Sequence, residues 1–443
     1  MQMDKSAALL VIDFNLSRRA EVAHIRDYAR AHYGQKTVLI RPNPGVAERL
    51  LADHVIDLNP LAPGFVHEAM RQLAQLPVDL QAGLVFSDNA VQFGAELLRN
   101  LGLRGDCPVL AENAFCKYQY RVKEQACKDM FEAQQTFLPN IQMVNTVESL
   151  ASFIQANPGG VVIKPTTEGN NRGVILLENP AEADLHAVLK EVSAYVQAGV
   201  IVEQMIPFRK EYSYDGIGSA DFITEKFNVS GRYPVEFAQL VPADVSTEQA
   251  DLIRRTGQLA NLIVGQSFGP FHNEIRISDD LRQAAVIEAN RRPAGMKIWA
   301  LASQVFGQDL HGLWVDSVVT GKRTNLRLTP KGSAMSIMLA PAQPGYVNNI
   351  IRNMDFLFSQ LQRQVAKDHP QAVGVLRWMS CEIIAATDQY VHVPARDNSD
   401  FVALITVSAD WDSGVMKTYL ERIQLCWDTV LNEYMNADLT LVA

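Results

Sequence analysis

The stretch His272–Lys297, HNEIRISDDLRQAAVIEANRRPAGMK, limits what this chain can fold into more than any other. Two runs with apolar alternation, 271–277 and 284–290, flank a polar Ser-Asp-Asp turn and predict a β-hairpin. Pairing brings Glu274 close to opposite Glu288, and alternation puts Glu288 and Asn290 on one face. Like charges facing each other across a strand pair repel. Ile275, Val286 and Ile287 make the strands at least half buried, so the two carboxylates need a compensating cation. Asn290 adds a neutral oxygen ligand. Oxygen ligands in small number suit Mg²⁺, which completes its shell with water and nucleotide phosphates. Arg292 follows two residues later, within reach of an anion held by that metal. The competing reading is a solvent-exposed hairpin with two unrelated glutamates.

Composition narrows the partners. The 443 residues suffice for roughly three domains. A net charge of -9 without a basic stripe argues against nucleic acid, so an anionic nucleotide requires a local basic site. The apolar run Ala7–Ile12 is too short for a secretory leader and meets Asp13. No stretch approaches the roughly 18 apolar residues of a membrane span. The five cysteines lack CxxC or zinc spacing, which fits reduced thiols in a cytoplasmic protein.

From the start, strands at 7–12, 36–40, 54–58 and 83–87 alternate with helices at 18–33, 64–76 and 90–101. This pattern predicts a parallel, Rossmann-like sheet. No GxGxxG follows the first strand, so a dinucleotide site is not expected there. Asp88 and Asn89 sit at a strand's C-terminal end, where ligands dock in open sheets; a helix N-cap is the favoured role. Residues 112–135 read as a mixed-charge helical stretch, in which Lys117 taken alone is a solvated lysine. A helix at 146–156 opens with the capping residues Thr146 and Ser149. A strand then ends in Lys164-Pro165, and the polar loop Thr166–Gly173 leads into a second strand. Lysine at the end of a buried strand needs an anionic partner or a route to water. Strands at 201–206, 212–217, 221–227 and 232–240 and a helix at 247–264 lead to the hairpin. A helix runs from Gly295 to Phe306. Strands at 335–342, 374–386 and 401–407, with helices at 347–367 and 413–436, read as a smaller α+β domain.

Taken in order, these motifs resemble the ATP-grasp superfamily of carboxylate–amine ligases, most nearly its L-amino-acid ligases. The resemblance is carried by Lys117 in ENAFCKYQYR, Lys164 in VVIKP, the loop TTEGNNRGV, VEQMI followed by Glu211, and HNEIRI with IEANRR. It implies an α/β and α+β chain with the ATP-grasp fold. An N-terminal Rossmann-like domain (1–110) would precede nucleotide-binding and catalytic lobes (111–320) and a C-terminal α+β lid-like domain (321–443). By the same resemblance Lys117 and Lys164 meet the phosphates of ATP. Glu168, Gly169, Asn170 and Gly173 belong to the loop above them. Glu203, Gln204 and Ile206 form the adenine hinge, and Glu211 holds the ribose. Glu274, Glu288 and Asn290 bind Mg²⁺, with two ions expected and Mn²⁺ able to substitute. Arg292 is the catalytic arginine.

Three neighbours carry two readings each. Arg276 holds the substrate carboxylate or pairs with Glu274. Met296 lines the amino-acid pocket or belongs to the core. His272 contacts substrate or is a hydrogen-bonded structural histidine, the favoured reading. Arg291 faces away from Arg292, and its replacement by Met is expected to be mild. The turn SDDLRQ lacks the glycine often found there, and RPAGM replaces a double glycine, which bears on substrate identity.

The implied activity is ATP-dependent amide formation between a carboxylate, an amino acid, and an amine, through an acyl phosphate with release of ADP and phosphate. One alternative is a ligase of the same fold activating a carboxylate that is not an amino acid. Another is a nucleotide-binding regulatory protein without catalysis, against which the intact Glu274, Glu288, Asn290 and Arg292 speak. A biotin-dependent carboxylase lacks support, since no Met-Lys-Met context occurs. The partners implied are small-molecule carboxylate and amine substrates, without nucleic acid or membrane, and a homodimer is left open.

Overall fold

The computed structural model describes residues 5–169, 171–229 and 231–442. Four strands, β1 (Ser6–Ile12), β2 (Lys36–Arg41), β3 (His54–Asp57) and β4 (Val78–Val85), form the expected parallel sheet in the order β3-β2-β1-β4. Ala8 to Ile12 are fully buried, as a sheet covered on both faces requires. β4 begins five residues before the expected 83. Asp79 and Gln81 are exposed there, because an edge strand can hydrogen-bond without burying both faces.

Strands β5 (Ile141–Met143), β6 (Val161–Pro165), β7 (Ile175–Leu177) and β8 (Val200–Gln204) form an antiparallel sheet in the order β5-β8-β6-β7. The helix Val147–Ala156 packs on it, and Thr146 caps that helix as expected, accepting from Ser149 N–H at 3.2 Å. The stretch 112–135 is not one helix. It breaks into Ala111–Phe115, Lys117–Ala126 and Lys128–Glu132, because Cys116 is extended. That break makes Lys117 the first residue of a helix, with its N–H on Thr166 O at 2.8 Å.

The remaining strands are β9 (Lys210–Ile217), β10 (Ala220–Asn228), β11 (Glu236–Val241), β12 (Pro270–Ile277), β13 (Ala284–Asn290), β14 (Ser333–Leu339), β15 (Gly345–Tyr346), β16 (Arg377–Ile383), β17 (Tyr390–Val391) and β18 (Ala403–Ala409). Apart from the small β15-β17 pair they make one eight-stranded sheet, in the order β13-β12-β9-β10-β11-β14-β18-β16. Residues 321–443 therefore share a sheet with the hairpin instead of forming a separate one. The helices Met354–Asp368 and Ser413–Val442 cover its far end.

The helix after Gly295 starts only at Ile298, because Met296 and Lys297 are left-handed (φ 45° and 63°). Behind it lies a helix the sequence reading missed, Leu310–Thr320. Its residues are buried on most sides, so it carries no amphipathic period to read. Trp299 and Trp314 from these two helices join Leu9 and Val11 of the parallel sheet to Phe222, Val241 and Ala334 of the large sheet in one core. The end of β4 meets the hairpin in another core, where Val85, Val91 and Ala95 pack with Val286 and Ala289. Among the described residues no helix is long and apolar enough to cross a membrane.

The helix Thr247–Val264 lies so close to β9 that a Cβ on Gly257 would stand 2.3 Å from Cδ1 of the Tyr214 ring. Gly257→Ala is expected to cost about 1–3 kcal/mol of stability through overpacking. Urea unfolding checks this; an unchanged midpoint would show that the ring moves aside freely.

Candidate active site

The hairpin forms as expected, with Glu274 paired to Glu288 and His272 to Asn290. A register shift after Glu274 leaves Ile287 as the extra residue on β13. The two carboxylates are balanced by different lysines. Lys117 Nζ lies 3.1 Å from Glu288 Oε1 and donates to Glu168 O at 2.6 Å. Its side chain is 11% exposed, so the solvated-lysine reading does not hold. Burial opposes its charge, yet Glu288 raises its pKa above the ordinary range.

Glu274 is held by Lys226, which the sequence reading missed. Lys226 Nζ stands 2.5 Å from Glu274 Oε1 and 3.5 Å from Glu211 Oε1, and also pairs with Glu236. The register Arg276–Glu211–Lys226 across β12, β9 and β10 would have revealed it. Carboxylate oxygens of Glu211, Glu236 and Glu274 lie within 4.8 Å of one another, around this fully buried ammonium. Burial pushes Glu236 up to about 7, against the pull of Lys226. Burial also opposes ionisation of Glu274, but Lys226 and His272 hold it well below the usual carboxylate range.

His272 is a bonded, buried histidine. Nδ1 is 2.6 Å from Asp215 Oδ1 and Nε2 is 3.2 Å from Glu274 Oε1. Burial disfavours its charge, but Asp215 and Glu274 raise it to about 9. Arg276 does not pair with Glu274. Its guanidinium binds Glu211 Oε2 at 3.0 and 2.9 Å, and Asn228 donates to the same oxygen at 3.0 Å. Glu211 is thus engaged by Arg276, Asn228 and Lys226.

Asn290 is 2% exposed, and its Nδ2 has no hydrogen-bond partner. Rotation of the amide would present its oxygen instead. Carboxylate oxygens together with this unsatisfied amide fit a hard divalent cation.

Arg292 Nε lies 2.7 Å from both oxygens of Asp88. The N-cap reading of Asp88 is therefore overturned. Ser87 occupies the cap position but its hydroxyl donates to Asp13 instead of capping, and Asp88 brings the end of β4 to the hairpin. Arg291 does face away, but it is buried. It donates to Cys107 O (2.8 Å) and Val264 O (3.0 Å) and lies 3.5 Å from Asp106, so its replacement cannot be mild. Met296 is half-buried, with Sδ 3.3 Å from Gln239 Nε2.

On the facing lobe Lys164 has the anionic partner it needs, Glu203 Oε2 at 2.7 Å. Arg121, also missed, binds Glu203 (3.0 Å) and Glu124 (2.8 Å) and reaches Ile287 O on the hairpin (3.3 Å). Burial lowers the Lys164 pKa despite Glu203. Burial would raise Glu203, but Arg121 and Lys164 bring it down to about 2. The Gln204 and Met205 amides are used by Asn140 O and Gly160 O. Beyond them Ile206, Phe208 and Ala285 form an apolar patch with Phe137 and Ile287. In the loop, Glu168 pairs with Arg172 at 2.8 Å, Asn171 and Gly173 are left-handed, and a Cβ on Gly169 would meet open space. Asn170 lies outside the described residues.

This arrangement is the ATP-grasp fold. The L-amino acid ligase from Bacillus licheniformis superposes on 95% of this chain and 97% of its own, with TM-score 0.69 and 17% identity. N5-carboxyaminoimidazole synthetase from Staphylococcus aureus, solved with ADP, gives TM-score 0.62 at 16% identity, over 95% of this chain and 98% of its own. No family model matches the chain. Among curated proteins, the alanine–anticapsin ligase of Bacillus amyloliquefaciens is 27% identical over 276 residues, 57% of this chain and 55% of that protein. That of Bacillus subtilis is 26% identical over the same length. The chain spans about half the length of the curated relatives it matches.

The Lys164–Glu203–Arg121 network carries a pH signature. A depressed carboxylate stabilises the fold above its unfolded pKa near 4.5, and that contribution is lost as pH falls toward 2. Arg121→Met strands buried Glu124 and leaves Glu203 with Lys164 alone, at a cost of about 3–5 kcal/mol at neutral pH. The gap from wild type should narrow by pH 4, where these carboxylates protonate. Denaturant titrations at both pH values check this; a pH-independent gap would contradict it.

Proposed function

We propose that this chain is an ATP-dependent, ADP-forming ligase that joins the carboxylate of an amino acid to an amine. The observation that carries the proposal is the convergence on the Glu274–Glu288 hairpin of Lys117 from a helix start and Lys226 from β10, with Asp88 from the end of β4 holding Arg292 just beyond β13. Curated relatives named alanine–anticapsin ligases and a structural neighbour named an L-amino acid ligase support it.

The residues divide the chemistry between them. Lys164 and Lys117, each now held by a glutamate, are placed to exchange that partner for phosphate oxygens of ATP. The apolar patch around Ile206, Phe208 and Ala285 suits the adenine ring. Glu274, Glu288 and Asn290 would hold Mg²⁺, two ions in this reading with Mn²⁺ a substitute. When bound, Mg²⁺ screens the repulsion between the two reacting anions.

A carboxylate oxygen of the substrate attacks the γ-phosphorus, and ADP leaves. The neutral amine then attacks the acyl phosphate carbon. Collapse of the tetrahedral oxyanion expels phosphate, and the amine gives up a proton as the amide forms. Arg292 stabilises charge appearing in these steps, a contribution of about 3–4 kcal/mol for a donor of this kind. The 166–173 loop excludes water from the acyl phosphate.

ADP release measured without and with a panel of amino acids tests the reading. Release should depend on the amino acid and be matched by dipeptide in the mass spectrum. Release indifferent to every amino acid would contradict it. Glu288→Gln should still bind Mg-ATP by calorimetry but lose at least a hundredfold in turnover. A loss within tenfold, about 1.4 kcal/mol, would remove Glu288 from the metal site.

A further inference from the structure

Arg292 leaves β13 into the segment Pro293–Lys297, whose conformation is unfavourable by itself. Met296 and Lys297 are consecutive left-handed residues, and neither is glycine. Such backbone persists only where its surroundings over-determine it. Lys297 Nζ is tied to Glu382 on β16 at 2.9 Å, and Met296 meets Gln239 on β11.

The other anchor is Arg18, at the start of the first long helix. Its guanidinium donates to Pro293 O at 2.9 Å and to Ala294 O at 2.5 Å. Arg18 is 6% exposed, lies over the Phe86 ring at 5.5 Å, and is 3.3 Å from Glu21, which in turn is 3.4 Å from His311. A buried guanidinium spent on two backbone carbonyls of a loop is an expensive way to hold chain. Its contacts with Glu21 and Phe86 stay within the N-terminal region; its two carbonyl bonds reach the segment that follows Arg292.

We propose that Arg18 is a positioning residue for Arg292. By clamping the Pro293 and Ala294 carbonyls it fixes the direction in which Arg292 leaves the strand, and so where its guanidinium meets charge developing on the substrate. The assignment rests on the ligase reading above and adds a residue to it from the N-terminal sheet region.

The test is a double-mutant cycle in turnover. It compares wild type, Arg18→Met, Arg292→Lys and the double variant, with thermal unfolding and Mg-ATP affinity measured for each. Arg292→Lys is chosen because it keeps a charge, so residual turnover stays measurable. Arg18→Met should lower kcat ten- to hundredfold and leave the Mg-ATP Kd within threefold. In the Arg292→Lys background the same change should cost less than threefold, because the residue it acts through is already impaired. Arg18→Lys, which keeps the charge and a single donor nitrogen, should recover part of the kcat and takes the place of Arg18→Met in the cycle if that variant does not fold. Effects that multiply in the double variant would overturn the assignment, as would Mg-ATP affinity lost in parallel with kcat. Single Arg18 variants within threefold of wild type would do the same. If the wild type itself shows no amino-acid-dependent turnover, the ligase reading fails and takes this assignment with it; multiplicative losses in an active enzyme refute Arg18 alone.

Discussion

The structure depends on keeping negative charge together where it would otherwise repel. Glu274 and Glu288 face each other across β12 and β13, and Glu211 and Glu236 add two more carboxylates from β9 and β11. Such a concentration of buried charge is unfavourable unless it is neutralised. Here two neutralising cations come from elsewhere in the fold, Lys226 from β10 and Lys117 from a helix start, while Arg276 on β12 binds Glu211 and Arg292 just beyond β13 pairs with Asp88. The large sheet is thus assembled around a charge cluster and not around apolar packing alone.

The second network, on the facing lobe, is the counterpart. Glu203 holds Lys164 and Arg121, and Arg121 also reaches the carbonyl of Ile287, the extra residue of the hairpin bulge. One guanidinium therefore ties the strand that ends in Lys164 to the strand that carries Glu288. An anion entering between the lobes would meet two lysines already charged or poised to be, each with a carboxylate it can release. Preorganised charge of this kind is what phosphoryl transfer asks of a protein, since the chemistry needs positioning and screening more than covalent help.

Much of this was legible in the sequence, for identifiable reasons. The hairpin and its facing glutamates followed from a period of two, and the parallel sheet from alternating strands and helices. Lys164 was conspicuous because a buried lysine must have a partner, and the partner is four residues into neighbouring β8. What escaped depended on distance along the chain or on missing periodicity. Asp88 and Arg292 are 204 residues apart, and no local pattern foretells their pairing. Lys226 and Arg276 needed the strand order before their partners could be assigned. The helix Leu310–Thr320 had no polar face, and the break at Cys116 left no Pro or Gly to mark it. The continuation of the large sheet through β14, β18 and β16 could not be seen in strands read one at a time.

The central claim is that this charge cluster transfers phosphate from ATP to a carboxylate, which then yields an amide. The most direct measurement follows oxygen. An amino acid labelled with ¹⁸O in its carboxylate is turned over with ATP and the amine, and the phosphate released is read by ³¹P NMR. The account predicts one labelled oxygen in each inorganic phosphate, since the carboxylate oxygen that attacked phosphorus leaves with it. Unlabelled phosphate accompanying amide formation, or label appearing in AMP, would contradict it.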